Sequence, residues 1–169
     1  MKLIPLTQGM VAKVSNCDYA YVRQWKWCYR KCNNGKGGYA VRNRVRPERG
    51  TVLMHRVIAA RKGLDLSVEI DHRDLDKLNN QRRNLRRATR AQNKSNCPMP
   101  STNKSGFKGV SRITKTGGWL AQIKVNGRTK NLGSFPGTHA GKVEAARRYN
   151  EAALRYFGDF VRLNRGVAL

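Results

Sequence analysis

The chain is 169 residues long and 39% hydrophobic, and it carries 35 Lys and Arg against 10 Asp and Glu, a formal net charge of +25. That length allows two small domains but is short for two independently robust ones. Self-repulsion on this scale burdens a compact fold, and the counterions that phosphates release on binding reward such a surface, so the charge points to nucleic acid. On composition alone a structural RNA-binding protein is a competing reading.

The opening residues, MKLIPLTQGMVAKV, lack an apolar run followed by a small-residue cleavage signal. No stretch has the length of a membrane span and no long basic amphipathic helix is visible, so no membrane partner is expected. A cytoplasmic protein with reduced thiols is expected. Cys17, Cys28, Cys32 and Cys97 form no CxxC pair and have no finger-like His partner, so no structural zinc is expected.

In chain order, residues 1–67 form a β-rich region with strand-like runs at 10–14, 25–29, 39–42 and 52–55. Turns are expected over Asn33-Asn34-Gly35-Lys36-Gly37-Gly38 and Pro47-Glu48-Arg49-Gly50. A short helix over 57–61 ends at Lys62-Gly63. Arg23, Trp25, Lys26 and Trp27 are candidates for DNA contact, although the tryptophans fit a small core equally well. Residues 68–97 read as strand, polar loop, strand, helix. In that unit Thr89-Arg90-Ala91-Gln92 fits a capping box, Asn93 falls in the first helical turns, and Pro98 forces a stop. Residues 98–104 read as a linker.

Beyond the linker, residues 105–164 change pattern. Strand-like runs at 107–113, 119–125 and 129–134 are joined by Gly117-Gly118 and Asn126-Gly127. The latter is a strong hairpin signal, because both of its positions need positive φ. Val143, Ala146, Tyr149, Ala153 and Tyr156 then recur at helical spacing over 139–157, and Gly158 supplies a stop. The fold class is therefore α+β: a β-rich region running into a ββα unit, then a linker, then a three-stranded antiparallel sheet packed on one helix.

The chemistry concentrates between residues 69 and 93. The Asp71 carboxylate and the Asn93 amide are hard oxygen donors suited to Mg²⁺ or Mn²⁺. His72, with an ordinary pKa near neutrality, can take a proton from water. Adjacent strand residues face opposite ways, so Asp71 and His72 share a site only where the strand ends and twists. Read as residues alone, Asp71-His72 fits a surface pair equally well, and Asn93 a solvated helix position.

Four segments tip that balance: Ile70-Asp71-His72, Leu78-Asn79-Asn80, Arg83-Asn84-Leu85-Arg86 and Thr89-Arg90-Ala91-Gln92-Asn93. Together they closely resemble the ββα-metal motif of HNH nucleases, above all the homing endonucleases of phages and introns. Met54-His55-Arg56-Val57-Ile58 resembles the segment that precedes the motif there. The resemblance implies Asp71 and Asn93 as ligands of one divalent metal, Mg²⁺ or Mn²⁺, with His72 as general base. It implies Asn84 as the residue that holds the loop and orients His72, with Asn80 and Asn96 as substitutes for Asn84 and Asn93. The last motif position is Asn93 rather than the His that names the family. Arg82, Arg83, Arg86, Arg87 and Arg90 surround the site in sequence and are expected to supply phosphate clamps. The implied reaction is hydrolysis of double-stranded DNA to 5′-phosphate and 3′-hydroxyl ends. A monomer or weak dimer is expected, with no small-molecule substrate, acting in the bacterial cytoplasm of a phage or mobile-element host.

Residues 105–164 resemble the ethylene-response-factor (Apetala-type) DNA-binding domain. The match runs through Phe107-Lys108-Gly109-Val110, Trp119-Leu120-Ala121-Gln122-Ile123, Leu132-Gly133-Ser134-Phe135, the segment from Glu144 to Ala153 and Leu163-Asn164. In that family the sheet enters the major groove, which is wide enough to admit strands. The implied DNA-reading residues are Lys108, Ser111, Arg112, Trp119, Lys124, Arg128 and Lys130. Lys108 and Ser111 stand where Arg is usual, so the plant target sequence does not transfer. Trp119 also fits a packing role. A DNA-binding regulator with a relic nuclease unit is a competing reading, and the intact set of Asp71, His72, Asn84 and Asn93 favours the enzyme.

Overall fold

The computed structural model describes residues 1–32, 37–44 and 49–169, an α+β chain with four α-helices and four small antiparallel sheets among them. The turns expected around Asn33–Lys36 and Pro47-Glu48 fall wholly or partly on residues outside that description. The chain divides into two compact units, Met1–Arg90 and Ala91–Leu169. The dividing point lies before the expected 98–104 linker, so the helix that carries Asn93 groups with the second unit. No helix among the described residues is long and apolar enough to cross a membrane.

In the first unit, β1 (Lys2–Pro5) and β2 (Val11–Val14) form an antiparallel hairpin, which puts Ile4, Ala12 and Val14 into the core. β1 and the next helix, α1 (Asn16–Val22), were not expected from the sequence. The start of α1 carries a Ser-x-x-Asp pattern, but its side chains are used elsewhere. Ser15 Oγ accepts from the Arg82 N–H at 2.9 Å, and Asp18 turns toward two arginines. Strands β3 (Cys28–Lys31), β4 (Gly38–Asn43) and β5 (Thr51–Leu53) make a three-stranded sheet.

Helix α2 (Met54–Arg61) starts earlier than expected, and His55 belongs to it rather than to a strand. Met54, His55, Ile58 and Ala59 are buried, one face at helical spacing, so the 52–55 run was a strand end joined to a helix start. β6 (Glu69–His72) pairs with β7 (Leu85–Ala88) as expected. One core holds the unit together, with Val22, Trp27, Met54, Ile58 and Leu85 among its members. Trp27 is 3% exposed and its indole N–H donates to the Val22 carbonyl at 2.8 Å, so it packs and does not reach DNA. Trp25 is half-buried, with the Arg42 guanidinium over its ring at 4.5 Å.

In the second unit, α3 (Arg90–Asn96) is followed by a sheet of order β10-β9-β8, formed by β8 (Val110–Arg112), β9 (Trp119–Val125) and β10 (Arg128–Phe135). Asn126 and Gly127 join the last two strands at φ 50° and 80°, the conformation the Asn-Gly pair predicted. Helix α4 (His139–Phe157) has the expected bounds, with Thr138 Oγ1 capping Gly141 N–H at 3.1 Å and Gly158 closing it at φ 53°. Val110, Ala121, Ile123, Ala146, Tyr149 and Ala153 fill the space between sheet and helix. Gly109, at φ 73°, has no room for a Cβ because the Tyr149 ring lies against it. The segment from 98 to 104 has no regular structure, and Asn103 organises its end by accepting from Ser105 Oγ and Gly106 N–H at 2.9 Å each.

Asp18 is the electrostatic anchor of the first unit. Its fully buried carboxylate accepts from Arg82 Nε at 2.7 Å, Arg82 Nη2 at 2.9 Å and Arg61 Nε at 3.2 Å. Burial alone would raise its pKa, but the bonds and charges of Arg82 and Arg61 outweigh that and hold it below the usual carboxylate range. Asp18→Ala is expected to cost about 1–3 kcal/mol in urea denaturation, because both arginines are partly exposed and can rehydrate. A depressed folded pKa gives stability that is present above the unfolded value of about 3.9 and lost as pH falls through the folded value. The gap between wild type and Asp18→Ala should therefore narrow below about pH 4, measured as the urea midpoint against pH.

Candidate functional site

The site is built on the β6–β7 hairpin and the loop between its strands. The end of β6 brings Asp71 and His72 inside, at 3% and 5% exposure, so they are not a surface pair. The loop is laced by its own side chains. Asn84 Nδ2 donates to Asp74 Oδ1 at 2.8 Å and to the Asn79 carbonyl at 2.7 Å, and Asn84 Oδ1 accepts from Asp74 N–H at 3.1 Å. Asn79 Nδ2 donates to Asp74 Oδ2 at 2.6 Å, and Asp76 Oδ1 accepts from Leu78 N–H at 3.0 Å. Outside the loop, β2 supplies the anchor: Lys13 N–H donates to the Leu78 carbonyl and Asn80 N–H to the Lys13 carbonyl, each at 2.8 Å.

Asn84 ties Asp74 and Asn79 together across the loop, and its amide is spent on these two residues. The residue against His72 is Asn80, which is 1% exposed, with Oδ1 lying 3.2 Å from His72 Nε2. Its Nδ2 donates to the Leu78 carbonyl at 3.3 Å and faces Met54 Sδ at 3.6 Å, which fixes the amide with its oxygen toward the imidazole. An amide oxygen only accepts, so Nε2 carries the proton and the basic lone pair falls on Nδ1.

Burial lowers the pKa of His72, against the Asn80 bond and the charges of Asp74, Asp71 and Asp76, which raise it. The ring is therefore neutral, in its basic form, at neutral pH. Behind it sits His55, whose ring is edge-on to His72 with centroids 5.1 Å apart. Burial, then the proximity of His72 and Arg56, pushes His55 down to about 3. Tyr39 completes the aromatic wall, 5.3 Å from His55 and 6.4 Å from His72. The sequence singled out neither Tyr39 nor His55 for a role, although His55 stood in the segment preceding the motif.

The donor chemistry fits a hard divalent cation. Asp71 offers a buried carboxylate beside a neutral imidazole. Among the described residues no three His, Cys, Asp or Glu side chains gather to hold a metal, so amide, water and phosphate oxygens would complete its shell. Asn93 is half-buried on α3, in the second unit. Cys17, Cys28 and Cys97 are exposed free thiols, and Cys32 accepts from Lys77 Nζ at 3.0 Å.

The five arginines around the motif do not form one clamp. Arg82 is committed to Asp18. Arg86 is 8% exposed and donates through Nε and Nη2 to Asp71 Oδ2 at 2.9 and 2.8 Å, so it cannot reach a phosphate from this position. Arg87 is exposed and pairs with Asp65 at 3.2 Å. Arg83 and Arg90 are exposed and enter no ion pair among the described residues.

In the second unit the implied readers also separate. Paired residues on neighbouring antiparallel strands share a face, and Ser111, Leu120 and Ser134 align on the side away from α4, as do Gln122 with Asn131 and Lys124 with Thr129. Arg112, Trp119, Arg128 and Lys130 alternate onto the other side. There Trp119 Nε1 donates to the Thr138 carbonyl at 3.2 Å with the Arg112 guanidinium over its ring, and Lys130 Nζ donates to Tyr156 Oη at 3.0 Å. Lys108 is an internal cap: Nζ donates to the carbonyls of Ser95, Cys97 and Arg162 at 2.7, 3.0 and 3.3 Å, and burial lowers its pKa. Long side chains conceal such roles, since their heads travel several bonds from the strand.

The HNH endonuclease family matches residues 52–95, from β5 through most of α3. An uncharacterized HNH endonuclease of Acanthamoeba polyphaga mimivirus is 32% identical over 161 residues, covering 94% of this chain and 76% of the viral protein. No solved structure is a significant match. The chain belongs to the HNH endonuclease family, and it is a nuclease.

Proposed function

We propose that this nuclease is a site-specific, homing-type endonuclease of double-stranded DNA, using one Mg²⁺ or Mn²⁺ and His72 as general base. The observation that carries the reading is the buried, neutral His72 beside Asp71, with Nε2 held by Asn80 so that Nδ1 is left basic. Asp71 and, by its place in the motif, Asn93 would hold the metal. When bound, the metal neutralises the phosphate and the departing 3′ oxygen. His72 Nδ1 takes a proton from the attacking water, the new P–O bond forms, and the bond to the 3′ oxygen breaks; that oxygen takes a proton from solvent water, leaving 5′-phosphate and 3′-hydroxyl ends. Asn80 keeps the imidazole in the right tautomer, and Asn84 keeps the loop in shape around it.

DNA contact is assigned to Arg83, Arg90 and the rim residue Arg87 near the motif, and to Ser111 and Lys124 on the open face of the second unit's sheet. Arg112, Arg128 and Lys130 are exposed at the sheet's margins and fit phosphate contacts better than base reading. Lys108 and Trp119 are left out of the reading set. That the second unit reads DNA in the manner of the ethylene-response-factor domain is supported by its sheet-on-helix build and by the sequence motifs it carries.

Supercoiled plasmid carrying a target site should be nicked or linearised with Mg²⁺ or Mn²⁺ and stay intact with chelator. His72→Ala is expected to lower the rate ~10²–10⁴-fold while leaving DNA affinity within a few-fold. Near-normal cleavage by His72→Ala would remove it as the base, and cleavage unaffected by chelator would remove the metal.

A second experiment separates reading from scaffolding. Lys124→Ala should weaken DNA binding and flatten the plot of log affinity against log salt by ~0.9 if one phosphate contact is lost, with unchanged thermal stability. Lys108→Met should instead lower the melting temperature, because three carbonyls lose their donor. The opposite pattern would reverse the assignment of the two lysines.

A further inference from the structure

We infer that Arg86 is a positioning residue for the Asp71 carboxylate: it clasps the carboxylate and holds its charge until a divalent cation takes it over, which ties metal binding to the arrival of DNA. The inference rests on the metal-dependent reading above. Asp71 and Arg86 are register partners across β6 and β7, so the two side chains leave the ladder on the same face. Nε and Nη2 both approach Oδ2, at 2.9 and 2.8 Å. Two guanidinium donors thus converge on this carboxylate at charge-assisted distances. With Arg86 at 8% and Asp71 at 3% exposure, water screens the pair little.

The neighbouring arginines at 83, 87 and 90 are exposed, so burial of Arg86 is not a general habit of this basic segment. A buried ion pair is a weak source of net stability, and β6 and β7 already bury Ile70, Leu85 and Ala88. The location beside His72 gives the pair a different use. A guanidinium and a divalent cation cannot both draw the full charge of one carboxylate at low dielectric, so each weakens the other's hold. The site then accepts a metal poorly by itself and well when a phosphate adds negative charge. By linkage, metal and DNA each strengthen the binding of the other. A nuclease regulated in this way carries little loaded metal away from its substrate.

The test is Mn²⁺ binding to the full chain without DNA, followed by titration calorimetry and by loss of the free Mn²⁺ resonance signal. Arg86→Met removes the charge and keeps the bulk, and is expected to bind Mn²⁺ at least about tenfold tighter than wild type. Arg86→Lys keeps the charge and should stay within about threefold of wild type. Equal or weaker binding by a folded Arg86→Met overturns the inference. If that variant does not fold, the wild-type protein decides through the ¹⁵N signal of the Arg86 Nε–H during Mg²⁺ titration. The signal should move toward that of a solvated arginine and exchange faster with water, and an unchanged signal overturns the inference. Binding that ignores Arg86 overturns this inference alone, whereas no Mn²⁺ binding by any form, with or without DNA, overturns the metal reading with it.

Discussion

The interaction on which the candidate site depends is the burial of the Asn80 amide. A fully enclosed amide without partners is costly, and this one is satisfied on every side. Its oxygen faces His72, its amino group the Leu78 carbonyl and Met54 sulfur, and its backbone N–H the Lys13 carbonyl. These contacts come from four different stretches of chain, so the imidazole is positioned only when β2, α2, the loop and β6 are all in place. Folding of the first unit and placement of the His72 ring are therefore one event. With His72 as the proposed base, partly folded forms would do no chemistry.

Much of this architecture was legible in the sequence because it is written in local terms. Hairpin β6–β7, helix α4 and the Asn126-Gly127 turn each follow from periodicity or from the dihedral needs of particular residues. Asp71, His72 and Asn84 were legible through motif spacing. Helix α1, only seven residues long, was not, although its Ser-x-x-Asp start looks like a cap; Ser15 and Asp18 actually serve Arg82. Asn80 stood in the sequence as a spare for Asn84. Only the three-dimensional path of the loop separates the amide that binds Asp74 from the amide that faces His72.

The basic residues were the least legible, and the reason is arithmetical as well as geometric. With 35 Lys and Arg competing for 10 Asp and Glu, most cations must go without an acidic partner. Sequence cannot tell which ones win a carboxylate. Asp18 takes Arg82 and Arg61, Asp71 takes Arg86, and Asp65 takes Arg87. Lys108 shows a third fate, in which carbonyl oxygens replace the carboxylate and the cation closes a turn. An arginine count near a motif thus overstates its phosphate-binding capacity, since the best-placed cations are the ones already used.

The same imbalance gives the site its character. Asp71, Asp74 and Asp76 lie close enough to His72 to act on its charge, a small acidic island in a chain of net charge +25. The metal cation proposed for the site would need such an island, because the field of the surrounding lysines and arginines repels it. DNA needs the opposite, a positive surface that attracts phosphates from a distance and loses its pull as salt rises. Gathering three acids at the end of β6 and in the loop after it, with exposed cations such as Arg83 and Arg90 elsewhere on the unit, would serve both demands on one polypeptide. Burial then protects the chemistry from its own surroundings: His72 and His55 are held neutral by desolvation. An imidazole kept neutral can accept a proton as soon as a water is presented to it, and it gains the acidic island's support once it has become charged.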